Sequence, residues 1–228
     1  MSADLQDRAA QAIEMLAAAG ADDAWATAGQ SRDVEFNYRD GALEKVKDTT
    51  SQQLAVQVYA KGRYSSHQTT DLNPDRLAGF LKEAVAITGA LEPDDQRAVT
   101  PAELFANRPE VDLDLVDSTV EALDRDQRMA WCVELDGAAR QHERVISATS
   151  AVYDGTQTQA SASSNGFSGV QESTYCWLGA NVTLGDRGER RAADGFFAGS
   201  SHVGDVPDAG EVAGTALKRA LVRLDSEK

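Results

Sequence analysis

The 228-residue chain contains 37 acidic and 22 basic residues, and its formal net charge of −15 argues against binding to nucleic acids or anionic membranes. Apolar residues form 42% of the sequence, enough for the core of one large domain or two small ones. No apolar run approaches the ~20 residues that cross a bilayer, and the first 20 residues lack the pattern of a signal peptide. With only two cysteines, Cys132 and Cys176, the composition favours a cytoplasmic protein.

The first part of the chain predicts a helix, an antiparallel meander and a second helix. Apolar residues at three- and four-residue spacing predict the first helix at 4–19, and Gly20 ends it. Period-two alternation is clearest from Leu54 to Val58. The predicted strands are 25–30, 34–38, 43–50 and 63–70, with turns at 30–33, 40–41 and 61–62. Residues 51–59 either extend the strand at 43–50 or form the next strand. Asn73 and Pro74 open the second helix, at 74–88.

The second part repeats this order after a proline-containing stretch at 92–114, which we interpret as an extended linker. A short helix is predicted at 115–122, and Asp124 caps a longer one that ends near residue 140. In that helix, Met129, Cys132, Val133 and Ala139 are predicted to face inward. The remaining predicted elements are strands at 144–153, 156–164, 167–184 with a bulge near Gly179, and 189–199, with turns at 154–155, 165–166 and 185–188, and a helix at 208–224.

The order of helix, antiparallel strands and helix therefore occurs twice along the chain. This order favours the α+β class over a doubly wound parallel sheet. We predict one α+β unit at 1–91, a linker at 92–114 and a second α+β unit at 115–228.

The sequence offers few residues for catalysis or metal binding. His67, His142 and His202 are far apart, and no carboxylate or histidine follows His142 at a helical metal-binding spacing. Cys132 and Cys176 lie in apolar surroundings that are typical of structural cysteines. The sequence also lacks a Gly-x-Ser-x-Gly elbow and a phosphate-binding loop. We therefore predict neither catalytic residues nor metal ligands in this chain.

The most suggestive segment is the hairpin tip formed by Ser164, Asn165, Gly166 and Phe167. Asn-Gly is a favoured two-residue hairpin turn because both residues tolerate positive φ. The simplest interpretation is that turn alone. The functional alternative is a tip that faces a partner or a substrate.

Short motifs in a fixed order make the chain resemble the TldD/PmbA family, also called modulator of DNA gyrase. The resemblance covers nearly the whole chain, and its specificity comes from the order of the motifs. The motifs are DGALE at 40–44, VQVY at 56–59, GRYS at 62–65, TTDL at 69–72, AVA at 84–86, SNGF at 164–167 with Thr174, and the helix at 213–224.

The resemblance implies a protein related to metalloproteases of about twice this length, whose N-terminal and middle regions this chain matches. The family's TldD-like branch carries a zinc-binding His-Glu-x-x-x-His helix, whereas the PmbA-like branch, also called TldE, lacks it and pairs with the catalytic subunit. This chain has no such motif, so no catalytic residue is carried over, and zinc would belong to a catalytic partner. Family members act in cytoplasmic proteolysis and in the maturation of peptide antibiotics. The name that refers to gyrase does not imply DNA binding.

Three hypotheses follow. The chain is a noncatalytic part of a TldD/PmbA-type protease, which associates with a TldD-like subunit or with itself and guides a peptide or unfolded protein by strand addition. Alternatively, it is an autonomous hydrolase whose site is built from distant residues, among them the three histidines. The third hypothesis is a truncated binding module without activity.

Overall fold

The computed structural model describes residues 2–109 and 111–224 and contains helices together with antiparallel strands. The predicted α+β class is confirmed. The helices are α1 (Ser2–Ala18), α2 (Pro74–Thr88), α3 (Ser118–Ala122), α4 (Arg125–Ala139) and α5 (Ala209–Val222), with 3₁₀ turns at Ala102–Leu104 and Val203–Asp205. The strands are β1 (Asp23–Arg39), β2 (Ala42–Ala60), β3 (Arg63–Thr69), β4 (Val145–Ser163), β5 (Ser168–Gly185) and β6 (Arg191–Ser200), in the sheet order β3-β2-β1-β4-β5-β6.

The chain divides into two compact units that both take segments from the two halves of the sequence. Unit 1 comprises Met1–Ser31, Thr50–Leu113 and Gln157–Glu172, and unit 2 comprises Arg32–Thr49, Asp114–Thr156 and Ser173–Lys228. Four strands, β1, β2, β4 and β5, have 17 to 19 residues each and contribute to both units. The predicted division at 1–91, 92–114 and 115–228 follows chain order instead, and as a statement about domains it stays a prediction.

The core of unit 1 forms where α1 and α2 pack on strand residues that alternate in burial. Leu54, Val56 and Val58 of β2 are all buried, as the period-two pattern predicts. Helix α2 has the predicted bounds, and the side chain of Asn73 accepts a hydrogen bond from Asp75 N at its start. The other buried apolar residues of this core are Leu5, Ala9, Ala12, Leu16, Ala24, Ala26, Ala28, Leu81, Ala84, Val85 and Ala160.

The core of unit 2 lies under α4 and α5. Helix α4 begins after its cap Asp124, as predicted, but its inner face differs from the prediction. Leu135 is buried beside Cys132, whereas Val133 is 52% exposed. Val133 follows Cys132 by one residue, which rotates it about 100° around the helix axis and away from the core.

Two of the predicted turns are wrong because β1 and β4 continue through them. The turn predicted at 30–33 lies inside β1, and the Asp154-Gly155 turn lies inside β4. Asp154 is buried and paired with Arg128, so its side chain is used in the core instead of in a turn. Gly155 is needed for close packing, since a Cβ there would lie 2.2 Å from the carbonyl oxygen of Arg32. Strand β2 runs through residue 51, so residues 51–59 extend the strand predicted at 43–50, which is one of the two predicted alternatives.

The prediction of a bulge near Gly179 is also wrong for the pairing between β5 and β6. The pairing runs without interruption from Cys176 opposite Ser200 to Gly185 opposite Arg191. Glycine is required at 179 because a Cβ would lie 2.0 Å from the ring of Phe197.

The tight turns at 40–41 and 61–62 are confirmed. Asp40 and Gly41 have φ values of 49° and 87°, and Lys61 and Gly62 have values of 54° and 70°. Positive φ at both central residues is the geometry that matches strand twist in a two-residue hairpin. No helix in the described part of the chain is long and apolar enough to cross a membrane.

Candidate functional site

The candidate hairpin tip is a four-residue loop in unit 1. Strand β4 ends at Ser163 and β5 begins at Ser168. Among the four loop residues, all of which the structure describes, Gly166 has positive φ, at 95°, and Asn165 does not. The loop is therefore wider than the two-residue turn predicted from Asn-Gly. Gly166 N donates to Ser163 O at 3.2 Å and closes the loop.

Polar side chains fix this loop to neighbouring segments of unit 1. Ser164 Oγ donates to Asp23 Oδ1 at 2.7 Å and accepts from Ala24 N at 3.0 Å. Asn165 Nδ2 donates to Thr100 O at 2.7 Å. The polar side chains of the tip are thus used within the unit, and the loop is held in one position.

Phe167 is enclosed by other residues instead of projecting freely. Its ring stacks on Trp25 with centroids 4.6 Å apart, and Phe105 meets it edge-on at 5.2 Å. The guanidinium of Arg108 lies 4.8 Å above the ring centroid, and Arg108 Nη2 donates to Ser168 O at 2.7 Å. Segment 100–108 therefore covers the loop. Ser164 and Gly166 are exposed, and Asn165 and Phe167 are half-buried.

An apolar groove lies beside the loop. Its volume of about 560 Å³ falls within the range of small-ligand sites. Val111 and Leu113 are 61% and 69% exposed at this groove, which is unusual for large apolar side chains so close together. The lining residues are Trp25, Arg108, Pro109, Val111, Leu113, Gln159, Ser161, Phe167, Gly169, Val170 and Gln171.

Most residues of this groove are not predicted from the sequence. Residues 108–113 lie in the stretch interpreted as a linker, most of which shows no helical or strand period. The alternation of Val111, Asp112, Leu113 and Asp114 was the one available signal, since it gives an extended segment one apolar side.

Each of the three histidines contacts residues within its own unit. His67 contacts Phe80 edge-on at 6.3 Å, His142 Nδ1 accepts from Arg144 N at 3.1 Å, and His202 Nε2 lies 3.2 Å from Asp114 Oδ1. Within residues 2–109 and 111–224, no group of three or more His, Cys, Asp or Glu side chains has a geometry that could hold a metal ion.

A serine and a histidine of β3 lie close together, but their hydrogen bonds do not suit nucleophilic catalysis. Ser65 Oγ is 2.7 Å from His67 Nε2 and 2.5 Å from Thr88 Oγ1. The single hydroxyl proton of Thr88 is donated to Ala84 O. Ser65 must therefore donate to Thr88 and accept from His67 Nε2–H, so the histidine is a donor to the serine and not its base.

The two cysteines are structural. Cys132 and Cys176 are fully buried, and burial raises the pKa of each thiol to about 12. A thiol reacts as a nucleophile through its thiolate, which this environment disfavours.

Two family models match successive parts of this chain. The model described as PmbA/TldA metallopeptidase domain 1 matches residues 28–88, and the PmbA/TldA metallopeptidase central domain matches residues 119–224. Together the two matches cover more than half of the chain.

Individual relatives agree with these models. The metalloprotease PmbA of Escherichia coli O157:H7 is 29% identical over 110 residues, which are 48% of this chain and 24% of PmbA. A crystal structure named as a modulator of DNA gyrase from Bacteroides thetaiotaomicron is 27% identical, with a TM-score of 0.85 over 96% of this chain. TldE from Thermococcus kodakarensis shares the fold, with 12% identity and a TM-score of 0.71 over 93% of this chain.

The chain is shorter than these relatives. It spans 50% of the Bacteroides protein and 47% of the Thermococcus TldE.

Proposed function

The chain belongs to the PmbA/TldD metallopeptidase family, and on this basis we propose that it is a noncatalytic N-terminal part of such a protein. Its role would be to dock a TldD-like catalytic subunit and to guide a peptide or unfolded protein during proteolysis in the cytoplasm. Zinc would be held by the catalytic subunit.

The apolar groove beside the hairpin loop is the observation that supports this role best. It combines exposed Val111 and Leu113 with the hydrogen-bonding side chains of Gln159 and Ser161. An apolar surface with a few polar groups suits a protein segment that buries side chains while its backbone stays hydrogen-bonded. The loop at 164–167 helps form this groove by placing Phe167 against Trp25.

The ends of the sheet offer a second mode of binding. Strands β3 and β6 occupy the two ends of the strand order. An extended peptide added to an edge strand gains backbone hydrogen bonds with little sequence selectivity, which suits the handling of unfolded chains.

Co-elution with a full-length catalytic member of the family tests the docking role. The purified chain is mixed with that subunit at tens of micromolar and separated by size-exclusion chromatography. We expect a complex that the double variant Val111→Asp/Leu113→Asp loses, because charges would be buried in the interface. Val222→Asp, which changes a residue of α5 that is 83% exposed, is the matched control and should bind normally. The absence of any complex with the unmodified chain would contradict the proposal.

A cleavage assay separates this proposal from an autonomous hydrolase. The chain alone is incubated with casein and with short peptides, and its metal content is measured. We expect no cleavage by the chain alone. Stoichiometric zinc together with cleavage would favour the hydrolase hypothesis instead.

A further inference from the structure

Three successive cross-strand pairs in unit 2 place a large side chain opposite a glycine. On β5 and β6, Trp177 pairs with Gly199, Gly179 with Phe197, and Asn181 with Gly195. Residues that pair across antiparallel strands lie on the same face of the sheet, and so do residues two apart. All six therefore share one face, which we call the aromatic face.

Each large side chain lies directly over its partner glycine. A Cβ on Gly179 would lie 2.0 Å from the Phe197 ring, and a Cβ on Gly199 would lie 2.7 Å from the Trp177 ring. Neither position would be available if the glycine carried a side chain. The rings are thus supported by backbone on one side, while Trp177 and Phe197 remain 43% and 39% exposed on the other.

The aromatic face is separate from the core. The alternate residues of β5, including Cys176, Leu178 and Ala180, are fully or almost fully buried in the core under α4 and α5. Tyr153 of β4 extends the aromatic face, with its ring centroid 6.5 Å from that of Phe197. Three neighbouring strands therefore contribute rings that the core does not use.

The rings of this face favour a cation, although Lys45 and Lys47 both act on the nearby carboxylate of Glu35. The face of an aromatic ring is electronegative, and tryptophan binds cations best among the aromatic side chains. Asp33, which accepts from Tyr175 Oη at 2.5 Å, and Glu35 lie on the same side of the sheet. Lys45 pairs with Glu35 at 2.9 Å and offsets part of this charge, but the chain as a whole carries −15.

We propose that the aromatic face binds the guanidinium of an arginine in a basic peptide segment, with Trp177 and Phe197 as the stacking surfaces. Arginine is planar and weakly hydrated, so it stacks on rings that lie flat on a sheet. This surface belongs to unit 2, so binding of arginine there does not depend on the groove of unit 1.

The test compares two peptides that differ only in charge. A short acetylated and amidated peptide of alternating glycine and arginine is titrated into the protein by NMR at low salt, and citrulline replaces arginine in the control. We expect the arginine peptide to shift the indole resonance of Trp177 and to bind about five-fold tighter, a size typical of exposed cation–π contacts. Trp177→Leu should remove this preference, whereas Phe80→Leu in unit 1 should not. Equal affinity for the two peptides, or an unchanged preference in Trp177→Leu, would overturn the proposal.

A glycine variant tests the geometry without removing a ring. Gly179→Ala places a methyl group where Phe197 lies and should lift that ring, so we expect the preference for arginine to fall two-fold or more. Gly214→Ala is the matched control, because nothing lies within 4 Å of its added Cβ. The Gly179→Ala variant also keeps the test decisive if Trp177→Leu fails to fold. A Gly179→Ala protein that folds and retains the full preference would contradict the flat-ring geometry.

Discussion

The hairpin loop of unit 1 and the aromatic face of unit 2 use the same residue types in opposite ways. Phe167 in the loop contacts Trp25, Phe105 and Arg108, so its ring is occupied on several sides. Trp177 and Phe197 instead rest on glycines and keep an open outer side.

This difference separates a structural aromatic residue from an available one. A ring that packs against partners on both sides fixes the segments that carry those partners, here 100–108 and 164–167. A ring backed by glycine contributes little to packing, and its open side can bind a ligand. The surroundings of each ring, more than the number of aromatic residues, therefore indicate where binding occurs.

The largest expected contrast lies between two adjacent residues of β5. Cys176 is fully buried with a pKa raised to about 12, whereas Trp177 beside it is 43% exposed. We expect iodoacetamide to alkylate Cys176 about a thousand-fold more slowly than an exposed thiol, since its thiolate fraction is about that much smaller. N-bromosuccinimide should oxidise Trp177 readily under the same conditions. Peptide mapping by mass spectrometry measures both, and rapid alkylation of native Cys176 would contradict the assignment of this side of β5 to the core.

The second largest effect concerns the buried ion pair that links β4 to α4. Arg128 and Asp154 form a bidentate pair with both distances at 2.6 Å, and their side chains are only 6% and 2% exposed. Asp154→Ala leaves a buried guanidinium without its partner, so we expect the free energy of unfolding to fall by about 3–5 kcal/mol. Urea denaturation measures the change.

The double variant Arg128→Met/Asp154→Leu is the control for that loss. Replacing both charges with apolar groups removes the unpaired charge, so its stability should exceed that of Asp154→Ala. A loss below about 1 kcal/mol in Asp154→Ala would show that the pair is not buried as described.

The third prediction compares the two kinds of ring directly. Phe167→Ala removes contacts with three side chains of unit 1, and we expect a loss of about 2 kcal/mol, less than for a fully buried phenylalanine. Phe197→Ala exposes the glycine beneath the ring and removes the contact with Tyr153 at the edge of an exposed surface, and we expect a loss below about 1 kcal/mol. Urea denaturation of both variants measures the contrast, and equal losses would remove the distinction between enclosed and available rings.

Two of the four Asp-Gly pairs, at 40–41 and 154–155, show how far the sequence predicts this fold. Asp40-Gly41 forms the predicted tight turn, with both φ values positive. Asp154-Gly155 has the same local signal, but it lies inside β4 because Asp154 pairs with Arg128, 26 residues earlier in the chain. Local periodicity therefore predicted the helices and most strand segments well, whereas contacts distant in sequence decided which turns formed.

The candidate surfaces were harder to predict for the same reason. The loop at 164–167 was found from its turn signal, but its enclosure by Phe105 and Arg108 depends on the path of a segment that has no period. The aromatic face depends on the register that sets Trp177 against Gly199 and Phe197 against Gly179. A shift of one residue would separate every such pair, and register is not encoded in the composition of either strand alone.

The smallest expected effect concerns a second hairpin tip, at 40–41 in unit 2. A hydrogen bond from Ala148 N to Asp40, followed by one from Ser147 and the charge of Arg140, lowers the pKa of the Asp40 carboxyl. A lowered folded-state pKa stabilises the protein above the unfolded value of about 3.9, and this contribution disappears as pH falls through the folded-state pKa.

Asp40→Asn keeps the turn but removes the charge. Because the side chain of Asp40 is 39% exposed, we expect this variant to be less stable by under about 1 kcal/mol at neutral pH. Urea denaturation across the acidic range should show the difference shrinking as pH falls below the unfolded value of about 3.9 and through the lowered folded-state pKa. A difference that stays constant with pH would assign the role of Asp40 to turn geometry alone.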